Sequence, residues 1–424
     1  MLFCYHLRAQ VLICLTAMSI EEKYSRSMSY HEYNSSIRQG ARHDGSNSKN
    51  SDYILSAPDK PVLIIVTFLV IIGFLAIFSA TAPKCMREGV PLISYLLKQA
   101  VFAVAGFFLM AFFSKFDYHK LEKYNTKFLW IVLALLCLIQ FTPMGMEING
   151  ARRWLNLGVM QLQPSEFAKP LFCMLLATAF KNKVNIMDTN FICKVAVPLL
   201  VVLFLVYKQP NLSMVLILLA TGLAMYIAAS GSLLPLGIGL GIMGLGIVSY
   251  IPKLLHGYQM DRINIWLNPG SDAQGKGYNI IQSLIAFASG GFSGTGYGGS
   301  IQKQAYLPEC HTDFIFSIIA EEFGFLGCFF VIGLFTAFVH RGLRIARRCP
   351  DMYGKLLAIG IVFIIGAQAF LNMAVASSLF PVTGVTLPFI SYGGTSIVVF
   401  LSMIGILLNI SRQRIKKIRT EINE

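Results

Sequence analysis

The run YLPECHTDFIFSIIAEEFGFLGCFFVIGLFTAFVH, residues 306–340, decides the fold class. It opens on Pro308, Glu309, His311 and Asp313 and passes without a break into an apolar stretch from Phe314 to His340. About 20 apolar residues in a helix cross a hydrocarbon layer, so this reads as a membrane span with a polar mouth. Glu321 and Glu322 fall inside it, where acids are costly and need cationic partners. Working outward, similar stretches recur at Val62–Ala82, Leu96–Phe113, Phe128–Phe141, Phe167–Phe180, Phe191–Val206, Leu212–Ser230, Leu233–Ile251, Leu356–Leu379 and Ser396–Ile410. The third and fourth spans are the shortest. Helix is the only open-ended structure that satisfies its own backbone in lipid. The expected fold class is all-α integral membrane. It is a bundle of about ten transmembrane helices, with a large outer loop between spans seven and eight and a re-entrant-type loop between spans nine and ten.

Composition agrees. The chain is 55% hydrophobic and 13% charged, too little charge to cover a soluble protein of 424 residues. The net charge of +14 does not point to nucleic acid, because no basic groove interleaved with aromatics accompanies it. The basic residues collect instead in short connections, as cytoplasmic loops do. Lys115, Lys120, Lys123 and Lys127 fall between spans two and three, and Lys181 and Lys183 between four and five. Arg341, Arg344, Arg347, Arg348 and Lys355 fall between eight and nine, and Arg412, Arg414, Lys416, Lys417 and Arg419 follow the last span. A ten-span count puts all of these on one face, so both termini are expected in the cytoplasm.

Residues 1–58 read as a disordered cytoplasmic tail, 59–411 as the membrane domain with an outer loop at 252–313, and 412–424 as a basic cytoplasmic tail. The apolar run Gln10–Ile20 is too short to span, and translation from Met18 or Met28 is an alternative reading of the tail. The nine cysteines show no CxxC and no Cys/His spacing for a metal. Cys85 and Cys310 fall in outer segments, where a disulfide is conceivable, but free thiols are expected.

Three outer segments concentrate glycine and proline: Thr142–Glu166, Pro252–Asp313 and Phe380–Thr395. In the first, NGARRWLNLG (149–158) places Arg152 and Arg153 on the face that should lack cations. Arginine suits forked phosphate binding, so both are candidates for substrate contact. QPSEFAK (163–169) follows, with Pro164 in a first helical turn and Glu166 and Lys169 three apart. That pair has two open readings, a substrate contact or a buried structural ion pair. In the second segment Tyr278–Ser289 reads as an interfacial helix, and the glycines of GGFSGTGYGG (290–299) permit close backbone approach to a ligand. Arg262 is a further outward cation.

Asp313 stands where the polar mouth meets the span. A carboxylate at a low-dielectric edge gains proton affinity, which suits a general base near neutral pH. Helix capping is the rival role, but it leaves the company of Glu309 and His311 unexplained. His311 fits a role orienting its neighbours by hydrogen bond. In the third segment the prolines and glycines of PVTGVTLPFISYGG (381–394) argue against continuous helix, as in a loop lining a cavity.

The strings NGARRW…QPSEFAK, YLPECHTDFIF…EEFG and PVTGVTLPFISYGG, in this order, resemble the SEDS family of shape, elongation, division and sporulation proteins. The wording NGARRW and YLPE-x-HTDF is more similar to the division branch than to the elongation branch. The resemblance implies a peptidoglycan glycosyltransferase that polymerises lipid II during septal wall synthesis, with Asp313 as the essential carboxylate. It implies a class B penicillin-binding protein transpeptidase and other division proteins as partners, in a bacterial inner membrane with the active site facing the periplasm. A lipid II flippase and a non-catalytic division scaffold are the alternatives. A divalent cation, Mg or Mn, could assist the diphosphate, but no acidic cluster specifies one. The chain departs from the family pattern at Asn211, where an acid is common, and at Asn279 and Ala374.

Overall fold

Asp59 begins the membrane domain: its carboxylate accepts the Val62 amide at 3.2 Å and pairs with Arg341 at 3.2 Å. The computed structural model describes residues 53–55, 57–148, 151–156, 161–181, 189–231, 258–275 and 277–415. Of the expected tails, 1–58 and 412–424, residues 1–52, 56 and 416–424 lie outside these residues, as does the expected span Leu233–Ile251.

The elements in chain order are β1 (Tyr53–Leu55), α1 (Lys60–Glu88), α2 (Ser94–Lys115), α3 (Tyr118–Phe141), β2 (Gly145–Ile148), β3 (Ala151–Asn156), β4 (Gln161–Leu162), α4 (Ala168–Phe180), α5 (Val197–Lys208), α6 (Leu212–Ser230), α7 (Tyr258–Leu267), α8 (Tyr278–Gly290), α9 (Ile315–Arg348), α10 (Met352–Ala376), α11 (Gly394–Arg412) and β5 (Gln413–Ile415). Among the described residues seven helices are long and apolar enough to cross a membrane: α1, α2, α3, α6, α9, α10 and α11. This is a multi-pass all-α membrane protein. Two shorter elements stand in the fourth and fifth positions. A 3₁₀ turn at Pro164–Phe167 leads into α4, and a π turn at Ile192–Ala196 leads into α5.

Two expectations need correction. The third span is not short: Asp117 accepts the His119 amide at 3.0 Å and starts a helix of 24 residues whose polar first turns hide it from a hydropathy reading. Nor is the first outer segment only an ordered loop, for β2, β3 and β4 form a three-stranded antiparallel sheet.

Apolar bundle packing in lipid rests on contact rather than on water exclusion. α11 and α10 hold the centre, with 78% and 61% of their spanning windows buried, whereas α2, at 22%, offers most of its surface outward while packing along α11.

The eighth span is broken. Gly324 has φ 61° and ψ −157° inside α9. The Phe325 and Leu326 amides therefore miss the helical carbonyls of Glu321 and Glu322 and donate to Gly291 and Phe292 instead, at 3.0 and 3.3 Å. The two vacated carbonyls accept from Thr295 and Gly296, both at 3.0 Å. One loop thus satisfies all four groups that the break releases, as buried backbone requires. A side chain at Gly294 (φ 82°) would stand 2.1 Å from the Glu322 carbonyl oxygen, and one at Gly324 2.4 Å from the Gly294 nitrogen. Gly290 and Gly294 of the glycine cluster therefore bring backbone against α9.

Candidate active site around Asp313

Asp313 is the second residue before α9 and belongs to a turn built by Glu309. Glu309 takes the left-handed conformation (φ 52°), and its carbonyl collects the amides of Thr312, Asp313 and Phe314 at 3.2 to 3.4 Å. Asp313 has no capping bond here, so the rival role for it falls away: Phe314 occupies the cap position of α9 with no side-chain bond. The neighbouring chain is held from several sides. Asn372 of α10 donates to the Asp313 carbonyl at 2.8 Å, Ser391 donates to that of Thr312 at 2.6 Å, and the Tyr392 amide to that of His311 at 2.9 Å.

Asp313 as a residue is half-buried. The protein crowded around it pushes its pKa up to about 6, with the charge of Glu309 adding to the rise and Arg153 and Arg262 opposing it. Burial holds the His311 imidazole below its ordinary value, with Lys84 acting in the same sense and Glu309 and Glu88 against it. The His311 ring lies in a triangle with Tyr95 and Tyr392, at 5.8 Å from each. That placement makes it a packing partner beside the base.

Arg153 and Arg262 reach the site from opposite sides. Arg153 donates through Nε to the Gln209 carbonyl at 2.9 Å and through Nη2 to that of Pro210 at 2.5 Å. Arg262, on α7, donates to the Val382 carbonyl at 2.7 Å, and Trp266 of the same helix donates to that of Ser378 at 2.9 Å. Segment 377–393 is non-helical and largely enclosed, and an added Cβ on its Gly384 would stand 3.4 Å from Asp313 Oδ2. Asn211, the departure from the family pattern, caps α6 by accepting the Met214 amide at 3.4 Å, a task Asn performs as well as Asp.

Three candidates do not join the site. Arg152 is exposed and pairs with Glu147 across the hairpin at 3.4 Å. Lys169 is fully buried, bonded to Glu166 at 2.7 Å and set 4.2 Å from the centre of the Phe400 ring. Of the two readings left open for Glu166–Lys169, the geometry supports the structural ion pair. Neither side chain has the access that a diphosphate would need.

Two groups escaped the sequence reading. Lys84, near the end of α1, and Lys98, near the start of α2, lie 5.2 and 5.9 Å from the Tyr95 ring centre. They break the same charge asymmetry that singled out Arg152 and Arg153. Asn372 could have been found as one of two amides, with Gln368, in an apolar run. Cys85 and Cys310 are free thiols, as expected. Among the described residues no three His, Cys, Asp or Glu side chains gather to hold a metal.

Fold and site together define a multi-pass membrane protein with one proton-hungry carboxylate set among cations at the end of a broken span. The chain belongs to the FtsW/RodA/SpoVE family of cell cycle proteins, whose pattern matches residues 60–416. It is 37% identical over 361 residues to the probable peptidoglycan glycosyltransferase FtsW of Trichlorobacter lovleyi, covering 84% of this chain and 94% of that one. It is likewise 37% identical over 362 residues to the stage V sporulation protein E of Bacillus subtilis, covering 84% and 98%. Among solved structures it is similar to a chain of a peptidoglycan synthase complex that coordinates polymerization and crosslinking (TM-score 0.70, 30% identity, 84% and 98% covered). The rod shape determining protein RodA of Thermus thermophilus is similar too (TM-score 0.59, 26% identity, 84% and 97% covered).

Proposed function

We propose that this protein is a peptidoglycan glycosyltransferase that polymerises lipid II, with Asp313 as the general base. The observation that carries the reading is Asp313 at the mouth of α9, half-buried, its carboxyl pushed up to about 6 and within the influence of Arg153 and Arg262. Names of relatives in the same family support the reaction class.

Asp313 takes the proton of the 4-hydroxyl on the acceptor's terminal sugar. The oxygen attacks the anomeric carbon of the donor, a new C–O bond forms, and the bond to the polyprenyl diphosphate breaks. The diphosphate leaves with the electron pair. Arg153 and Arg262 lie where positive charge offsets the charge that develops on it. A diphosphate needs little protonation to leave, so one carboxylate suffices where glycosidases commonly use two.

A class B penicillin-binding protein is the proposed partner, in line with the synthase complex to which the chain is similar. Clustering of Lys and Arg in alternate connections favours cytoplasmic termini and a periplasmic active site, and the division-type motifs favour a septal location.

Purified protein with its partner should make glycan chains from labelled lipid II. Asp313→Asn is expected to lower the rate by roughly 10² to 10⁴-fold, the usual contribution of a general base. Undiminished chains from that variant would refute the assignment.

A further inference from the structure

Asp313 is bracketed by two acids and a lysine that the mechanism does not use. Lys303 Nζ lies 2.8 Å from Glu322 Oε1 and 2.8 Å from Ser79 Oγ. Ser79, on α1, donates to the same carboxylate oxygen at 2.5 Å. All three are buried, with Glu322 1% exposed and Lys303 7%. One residue earlier, the Glu321 carboxylate accepts the Ile301 amide at 2.9 Å, the Gln302 amide at 3.3 Å and the Ser300 hydroxyl. Residues 300–303 are therefore clamped by both carboxylates of α9.

We propose that the Lys303–Glu322 ion pair, completed by Ser79, is a positioning device that closes the base-bearing loop 304–314 and holds it against α1. The inference rests on reading Asp313 as the base. Three observations support it. Loop 304–314 contains no helix or strand, so its geometry depends on tertiary contacts: Asn372, Ser391 and Tyr392 hold 311–313, and its first end needs a separate anchor. Its first end meets the second turn of the helix into which its last end runs, so the ion pair shuts the segment into a ring with Asp313 inside. On the α1 side the ring packs Leu307, Cys310 and Phe314 in one apolar cluster with Ala80, and Cys310 Sγ approaches the Ala80 carbonyl at 3.7 Å, beside Ser79. The break at Gly324 adds to the design, since loop 291–296 bonds to the carbonyls of the same two glutamates. A buried, low-dielectric ion pair is stiff and directional, which suits it to hold a loop rather than to contact substrate. It also accounts for Lys303, an outer cation with no access to a ligand.

The test compares wild type, Lys303→Met/Glu322→Gln and Lys303→Arg in the purified full chain with its partner. Rates of polymerisation from labelled lipid II are followed against pH and substrate concentration, and maleimide labelling of Cys310 is mapped by mass spectrometry. The double variant carries no orphan charge. It is expected to lose about tenfold to a hundredfold in kcat with KM changed less than about twofold, as a misplaced reacting group does. The groups acting on Asp313 are Glu309, Arg153 and Arg262. A loosened loop hydrates the carboxyl, so the acid limb of the profile should move down by about half a pH unit or more. Cys310 should label about fivefold faster or more, as a locally opened segment does. Lys303→Arg keeps the pair and should restore most of each value.

An unmoved acid limb together with a protected Cys310 overturns the inference and leaves the role of Asp313 intact. An active Asp313→Asn protein overturns that role instead, whatever Cys310 does. Should the double variant fail to fold, Ser79→Ala keeps the ion pair and removes one of its contacts. It should then show the same changes at smaller size, and no change in either readout overturns the inference.

Discussion

Two charged clusters lie toward the same end of the bundle and behave in opposite ways. Glu166 and Lys169 are sealed in the interior, bonded to each other at 2.7 Å with Phe400 against the ammonium. Asp313, Glu309, Arg153 and Arg262 are spread over three segments, and the charges of Glu309, Arg153 and Arg262 act on the half-buried Asp313. A sealed pair has its charge consumed, so it contributes to stability alone. An open, unequally balanced set has proton affinity to spend on chemistry. Charge in a membrane protein is thus not a sufficient sign of function; its access and its balance are.

The comparison can be broken most forcefully at the sealed pair. Lys169→Met alone leaves a buried carboxylate without its cation and should cost about 3–5 kcal/mol of stability. Lys169→Met/Glu166→Gln should recover much of that, both measured by thermal unfolding in detergent. A single variant as stable as wild type would mean that the pair is not sealed. Next in size is Arg153→Gln, expected to reduce polymerisation by about 10²-fold through lost electrostatic stabilisation. Its sign on pH is fixed. Arg153 lowers the proton affinity of Asp313, so its loss raises that pKa and moves the acid limb to higher pH. Glu309→Gln should do the reverse, because Glu309 raises the same pKa, and the limb should move down by about half a pH unit. Arg152→Gln closes the series: an exposed pair contributes little, so rate and stability should change by less than about twofold and about 0.5 kcal/mol.

Arg152 and Arg153 also show where reading the sequence stops. Both broke the charge asymmetry equally, and nothing in the string separates them. The hairpin does. Glu147 faces Arg152 and Met146 faces Trp154, so the register skips Arg153. Arg153 is the extra residue of a β-bulge, and bulges re-aim side chains. It turns toward Gln209, Pro210 and the base, while its neighbour stays opposite Glu147. The strands themselves were hidden because glycine and charge in a short outer segment read as irregular loop. The spans were far more legible, and the start of α9, the helix Tyr278–Gly290 and the interruption at 377–393 agree with the sequence reading. The break at Gly324 was not, since one glycine in an apolar run is ordinary.

The class of fold and the candidate base were legible in the string of residues alone. Hydrocarbon thickness sets span length, and desolvation at the edge of a span favours the protonated form of an acid, to a degree that neighbouring charges adjust. Only the tertiary structure decided which cations reach Asp313 and which acids are neutralised. Those outcomes depend on contacts between residues far apart in the chain, such as Lys303 with Ser79 and Arg262 with Val382, and no local pattern encodes a distance across a bundle.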